Sequence, residues 1–174
     1  ENLLLLEGVE LRAVCDIREA HAARAAEKVV AAGQPEPARY TRGARDFERM
    51  CAEAELDLVY TATPWEWHVP VMLAALRHGK HAATEVPAAM SVDDCWALVE
   101  AAEKYRRHCV MMENCNYDRF ELMALRLVRQ GMLGEMPHGE PAYLTALRET
   151  KLSSEGEGLW RRAWSTTRNG NLYP

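Results

Sequence analysis

The sequence predicts an α/β protein built on a doubly wound parallel sheet, and three observations carry that expectation. Short apolar runs at 9–15, 58–60, 81–84 and 109–112 alternate with segments of helical period at 19–32, 69–76, 92–105 and 119–130. Gly33, Gly79 and Gly131 stand just past helical segments, where a left-handed terminal residue belongs. Residues 58–87, LVYTATPWEWHVPVMLAALRHGKHAATEVP, form the clearest unit. They read as strand, loop, helix and strand, a βαβ unit expected to be parallel and right-handed.

Taken in order, residues 2–7 read as the last turns of a helix closed by Gly8. Residues 9–15 (VELRAVC) are a strand ending in Asp16. An acid at that place commonly holds the adenosine ribose hydroxyls of a bound dinucleotide, or it caps the helix that begins near Arg18. That helix, 19–32, is expected to turn Ala22, Ala25, Ala26, Val29 and Val30 inward. Residues 34–37 are a loop, Tyr40 lies on a short edge strand, and 46–54 form a helix. In the central unit Val69, Met72, Leu73 and Leu76 share one face at i, i+3, i+4 and i+7. Ser91 and Asp94 resemble a capping box and open a helix through Tyr105, with Cys95, Leu98, Val99 and Ala102 on its buried face. Residues 109–112 (CVMM) read as a buried strand, and 119–130 as a further helix.

A Rossmann-type half begins with a strand and a glycine-rich turn that holds the pyrophosphate at a helix N-terminus. No GxGxxG occurs among the 174 residues, so the fold is expected to lack its first strand and glycine-rich turn. Two inner strand edges would then be open, and the chain taken alone reads as an inactive, truncated fragment. Its domains are expected at 1–117, a partial nucleotide-binding domain, and at 118–174, the start of an α+β substrate domain. In the latter, 137–141 is a linker, 142–147 a first strand, 153–164 has no clear period, and 169–171 is a turn.

Composition narrows the function classes. The chain is 48% hydrophobic and 27% charged, ordinary for a globular protein, with a formal net charge of −5. That balance predicts no nucleic-acid partner. Arg106-Arg107-His108 and Arg161-Arg162 are each too short to track phosphates. No apolar run approaches the ~20 residues of a membrane span. Cysteines 15, 51, 95, 109 and 115 are odd in number and lack a CxxC pair, which argues against zinc or a disulfide framework. Cys15 and Cys109 read as small hydrophobes, and no metal site is expected. The chain begins Glu1-Asn2, without methionine or signal peptide, so localisation stays open between cytoplasm and export.

In parallel sheets the loops leaving the carboxyl ends of the strands bind the ligand. Here those loops are 62–68 and 85–87, which gather Trp65, Glu66, Trp67, His68 and Glu85 beside Val86. Taken singly, each has a plain structural reading: tryptophans covering a sheet end, a capping histidine, solvated acids.

Together with Asp16, the pattern Ala62-Thr63-Pro64 with His68, then Glu85-x-Pro87, resembles the glucose-fructose oxidoreductase / inositol dehydrogenase / MocA superfamily. Dehydrogenases of that superfamily carry Glu-Lys-Pro, with a proton-transferring lysine; Val86 stands there instead. Trp65-Glu66-Trp67-His68, Thr84-Glu85-Val86-Pro87, Glu113-Asn114-Cys115-Asn116-Tyr117, Gly158-Leu159-Trp160-Arg161-Arg162 and Asn169-Gly170-Asn171-Leu172-Tyr173-Pro174 are similar to the NAD-dependent glycosidases of glycoside hydrolase family 109. The resemblance implies α-N-acetylgalactosaminidase activity: sugar C3 is oxidised, the C2 proton removed, the aglycone eliminated, water added and C3 reduced again, with configuration retained. It implies NAD as cofactor, a small carbohydrate substrate and a homo-oligomeric full-length protein, and leaves export by a twin-arginine signal open. It gives Asp16 to the adenosine ribose, and Trp65, Glu66, Trp67, His68, Glu85, Val86 and Asn114 to the nicotinamide side. Tyr143 and Arg162 would touch the sugar, and Tyr173 would be the base at C2. A sugar or inositol dehydrogenase of the same superfamily is the alternative reading.

Overall fold

A computed structural model describes residues 2–140, 142, 144, 146 and 162. The chain divides into two compact units, Glu1–Glu113 and Asn114–Pro174. After a 3₁₀ turn at Asn2–Leu5, the first unit runs β1 (Ala13–Cys15), α1 (Glu19–Ala31), β2 (Ala38–Tyr40), α2 (Asp46–Glu53) and β3 (Leu58–Thr61). It continues through α3 (His68–Arg77), β4 (His81–Thr84), α4 (Val92–Tyr105) and β5 (Cys109–Met111). The second unit holds α5 (Arg119–Arg129).

Every strand pairing among the described residues is parallel, as the alternation of elements predicts. β1 pairs with β2, and β3, β4 and β5 form a second ladder with Leu58 opposite His81 and Ala82 opposite Cys109. The two ladders are not bonded to each other among the described residues, so β1 and β3 each keep one open edge, as expected from the absent glycine-turn strand. A single apolar core nevertheless spans both ladders. It joins Tyr40, Phe47 and Met50 to Val59, Met72 and Leu76. The helical period of α3 is the cause: Val69, Met72 and Leu76 are buried and Leu73 packs at the rim. Burying Met72 and Leu76 contributes about 2 kcal/mol each. α2 is fixed to β2 by Arg49, whose guanidinium forks onto Asp46 at 2.7 and 2.9 Å and lies 4.4 Å from the Tyr40 ring centre.

Several expectations are corrected. The first strand spans only Ala13–Cys15, because residues 9–11 bond to a side chain instead of a strand: Leu11 N donates to Gln34 Oε1 (2.8 Å), and Gln34 Nε2 to the Val9 carbonyl (2.9 Å). On α1 the buried stripe is Ala22, Ala26 and Val29, and Val30 faces solvent. On α4 the stripe is rotated: Leu98 and Ala101 are buried while Cys95 and Val99 are exposed. Ser91 does cap that helix, accepting from Asp94 N at 3.1 Å, but its hydroxyl donates to the Asp94 carboxylate (2.8 Å). β5 is an edge strand with Val110 and Met111 exposed rather than a buried one. α5 buries none of its residues. Of the expected strand 142–147 only residues 142, 144 and 146 are described, without regular structure, and the turn at 169–171 lies outside the described residues.

Candidate functional site

At the carboxyl ends of β1, β3 and β4 the chain presents Asp16, residues 62–68 and residues 85–87. Asp16 sits in a short turn rather than on a helix cap proper. Its Oδ1 accepts from Arg18 N (2.7 Å) and its Oδ2 lies 3.5 Å from His21 Nδ1. The side chain is 37% exposed, so acceptor positions on the carboxylate still face outward.

The Trp65–His68 quartet divides its labour. Trp65 is buried and, with Glu66, Val69, Met90 and Asp94, lines a cleft of about 320 Å³. Glu66 is exposed. Trp67 turns the other way and packs edge-on against Phe47 of α2, the ring centres 6.0 Å apart. His68 is 1% exposed, and both its ring nitrogens meet backbone carbonyls: Nδ1 with Pro87 O at 2.7 Å, Nε2 with Thr63 O at 2.8 Å. The ring thus links the loop after β3 to the loop after β4, and the structure gives His68 the task of placing two loops. A neutral imidazole donates to one of these carbonyls at a time, the charged form to both.

The rest of this end is built on hydroxyls that are already satisfied. Buried Thr61 shares a hydrogen bond with Thr63 (2.9 Å), and fully buried Thr84 donates to the Glu85 carbonyl (3.1 Å). Val86 is half-buried and carries nothing that could transfer a proton. Glu85 is exposed, with its Oε1 accepting from the Tyr60 hydroxyl at 3.2 Å. Burial first, and then the Glu85 carboxylate, holds the Tyr60 phenol above its ordinary value. Sequence reasoning passed over Tyr60 as part of an apolar run. The usable signal was β3's alternation, which turns Tyr60 outward beside the end of β4.

Asn114 belongs to the second unit and is exposed. Arg162 is helical and half-buried, while Tyr143 and Tyr173 lie outside the described residues. Burial pushes the Cys15 and Cys51 thiols up to about 11, which suits packed hydrophobes rather than nucleophiles. Among the described residues no cluster of His, Cys, Asp and Glu could hold a metal, and no helix is long and apolar enough to cross a membrane.

The dinucleotide fits this end in part. An outward-facing carboxylate at β1, the exposed small residue Ala62 at β3 and the immobilised loops suit a ribose and a nicotinamide ring. A glycine-rich pyrophosphate cradle is not among the 174 residues.

Residues 2–113 match the model of an oxidoreductase family with an NAD-binding Rossmann fold, and residues 117–174 match the C-terminal domain of glycosyl hydrolase 109. A "glycosyl hydrolase family 109 protein 1" of Shewanella sp. (strain ANA-3) is 47% identical over 100% of this chain. An "alpha-N-acetylgalactosaminidase" of Shewanella oneidensis is 46% identical, again over 100% of this chain. The chain spans 38% of the length of each of these curated relatives. Among solved structures, the WlbA dehydrogenase of Chromobacterium violaceum, in complex with NADH and UDP-GlcNAcA, is similar with a TM-score of 0.60 and 26% identity. That likeness covers 72% of this chain and 33% of the other.

Proposed function

The chain belongs to the glucose-fructose oxidoreductase / inositol dehydrogenase / MocA family, in its glycosyl hydrolase 109 branch, and from that premise we propose that its full-length protein is an NAD-dependent retaining glycosidase acting on terminal α-N-acetylgalactosaminides. The observation that carries this reading is Val86. At the end of β4, where the family's sugar dehydrogenases place a proton-transferring lysine, this chain has a half-buried apolar side chain. Val86 cannot take the proton that the C3 hydroxyl loses on oxidation, so that proton passes to a group other than the side chain at this position, a departure from the family's sugar dehydrogenases.

When bound, NAD supplies reversible hydride exchange at sugar C3, which makes the C2 hydrogen acidic enough for elimination of the aglycone. The chain's own residues bind and orient. The Asp16 carboxylate accepts from the adenosine ribose hydroxyls; Trp65, Glu66, Glu85, Val86 and Asn114 border the nicotinamide side. His68 contributes by holding both loops in place. Tyr143 and Arg162 grip the sugar, and Tyr173 takes the C2 proton. A phenol of reference pKa about 10 needs a cationic neighbour to do so near neutrality. A homo-oligomer is part of the same proposal.

The test is the full-length protein loaded with NAD and given p-nitrophenyl α-N-acetylgalactosaminide. Release of p-nitrophenol without net NADH is the expected result. Steady NADH formation from free sugars or inositols, with no glycoside cleavage, would establish the dehydrogenase instead.

A further inference from the structure

The opposite end of the three-stranded ladder carries a feature that the cofactor site does not use. Parallel pairing of β4 with β5 sets the loop 78–80 beside the loop 106–108, since Ala82 faces Cys109. In sequence Arg106-Arg107-His108 is a short, isolated basic run; in the fold it meets Arg77-His78-Gly79-Lys80-His81. The two loops are tied together. Arg107 Nε donates to the Gly79 carbonyl, His108 N to His81 Nδ1 (2.9 Å), and Ala82 N to the His108 carbonyl (2.9 Å). The His81 and His108 rings lie 4.9 Å apart, centre to centre.

Elsewhere in the unit Arg12, Arg39, Arg45 and Arg49 pair with carboxylates, whereas Arg18, Arg24 and Arg42 have no ion pair among the described residues. The amino end is set apart by cations gathered on two loops bonded to each other. Arg77, Lys104, Arg106 and Arg107 are exposed, and none has a carboxylate within ion-pair distance among the described residues. Their partners are neutral: Arg77 Nε donates to the Leu73 carbonyl (3.0 Å), and Lys104 lies over the Tyr105 ring. Lys80 is buried beneath them, its Nζ 3.5 Å from the Leu56 carbonyl. Acids stand near them as well: Glu103 on α4, Glu48, which feels the charge of Arg77 and His78, and exposed Asp57, whose carbonyl accepts from His81 N (2.8 Å), while Arg77 also lines the cleft that holds Glu66 and Asp94.

Helix ends explain part of it. α3 and α4 both end here, and cations favour a helix C-terminus, which accounts for Arg77 and Lys104. It does not account for Arg106, which holds φ 52° and ψ 52° where glycine is the unstrained choice, and is the one non-glycine residue with positive φ among those described.

We propose that this amino-terminal end of the ladder is a docking surface for an anionic polysaccharide, a glycan bearing sulfate, phosphate or carboxylate groups. Guanidinium forks match such oxyanions bidentately. The neighbouring imidazoles of His81 and His108, tilted 34° to one another, add ring surface against which the C–H side of a sugar can rest. The cations come from two short loops side by side and form a compact cluster. A duplex or an anionic membrane needs an extended basic face, which two short loops do not make. The choice of a glycan among polyanions rests on the carbohydrate reading above; the surface itself does not.

The experiment is binding of the full-length protein to heparin as the sulfated probe, by calorimetry at two salt concentrations. Neutral dextran, duplex DNA and phosphatidylserine vesicles are the comparison arms. Heparin is expected to bind in a salt-sensitive way, and roughly tenfold more weakly in the Lys104→Gln/Arg106→Gly double variant. Arg106→Lys is expected to retain binding. Arg106→Gly melts at or above the parent temperature, which separates loss of binding from loss of fold. Absence of heparin binding, or binding unchanged in the double variant, overturns the proposal. DNA or vesicles bound as tightly as heparin overturn the assignment to a glycan. Glycoside hydrolysis is expected to be the same in both variants; heparin binding by a protein that cleaves no glycoside supports the surface and removes the functional reading.

Discussion

The two ends of the β3–β5 ladder rest on one core yet are chemically opposite. The carboxyl end gathers helix beginnings and the exposed acids Glu66 and Glu85, and its loops are fixed by one buried ring, His68. The amino end gathers helix endings and exposed cations held by neutral carbonyls. Parallel βα topology imposes the first part of this polarity, since every helix N-terminus lies at the carboxyl end of the strands. The difference teaches where side chains were added beyond what the topology requires. At the carboxyl end that addition is a loop clamp; at the amino end it is Arg106 in a left-handed conformation.

Substitutions can break this comparison in graded steps. The largest effect belongs to the core beneath both ends: Leu76→Ala is expected to cost about 2–5 kcal/mol in chemical denaturation, because the residue is fully buried. Next comes the clamp. His68→Ala removes the donor from at least one of the two loop carbonyls and empties a buried ring site, at a cost of about 2–4 kcal/mol, with NAD affinity of the full-length protein falling in parallel. If His68→Ala weakens stability and leaves NAD affinity unchanged, the loops do not depend on the ring for their binding geometry.

A smaller effect is pH-dependent. The hydrogen bond from Arg49 is the main cause holding the Asp46 carboxyl below its ordinary value. Its contribution is therefore complete above the ordinary carboxylate range and is lost as pH falls through the lowered folded-state value. Unfolding midpoints measured over an acid series should lose part of their slope in Asp46→Asn. The smallest effect has the opposite sign: Arg106→Gly relieves the left-handed residue and is expected to stabilise by up to about 1 kcal/mol in thermal melts.

Much of the fold was legible because periodicity and glycine placement report backbone geometry directly. Val69, Met72 and Leu76 point inward as their spacing requires, and Gly33, Gly79 and Gly131 take positive φ at helix ends. What stayed hidden depends on partners distant in sequence. Gln34 replaces a strand neighbour for residues 9–11. Val30 and Val99 are as apolar as their buried neighbours, and only the helix phase against the sheet decides which is covered. For the site, residue types marked the loops but not the division of roles within them. Two adjacent aromatics, Trp65 and Trp67, face different surroundings, and His68 points at two carbonyls that no local pattern encodes.

The most direct measurement follows the C2 hydrogen of the sugar. The full-length protein, loaded with NAD, is given an α-N-acetylgalactosaminide in deuterated water, and the released sugar is analysed by NMR and mass spectrometry. The account predicts deuterium at C2, retained anomeric configuration and no net NADH. Hydrolysis with C2 still carrying its original hydrogen would contradict it, because the glycosidic bond would then have broken without the elimination on which the reading depends.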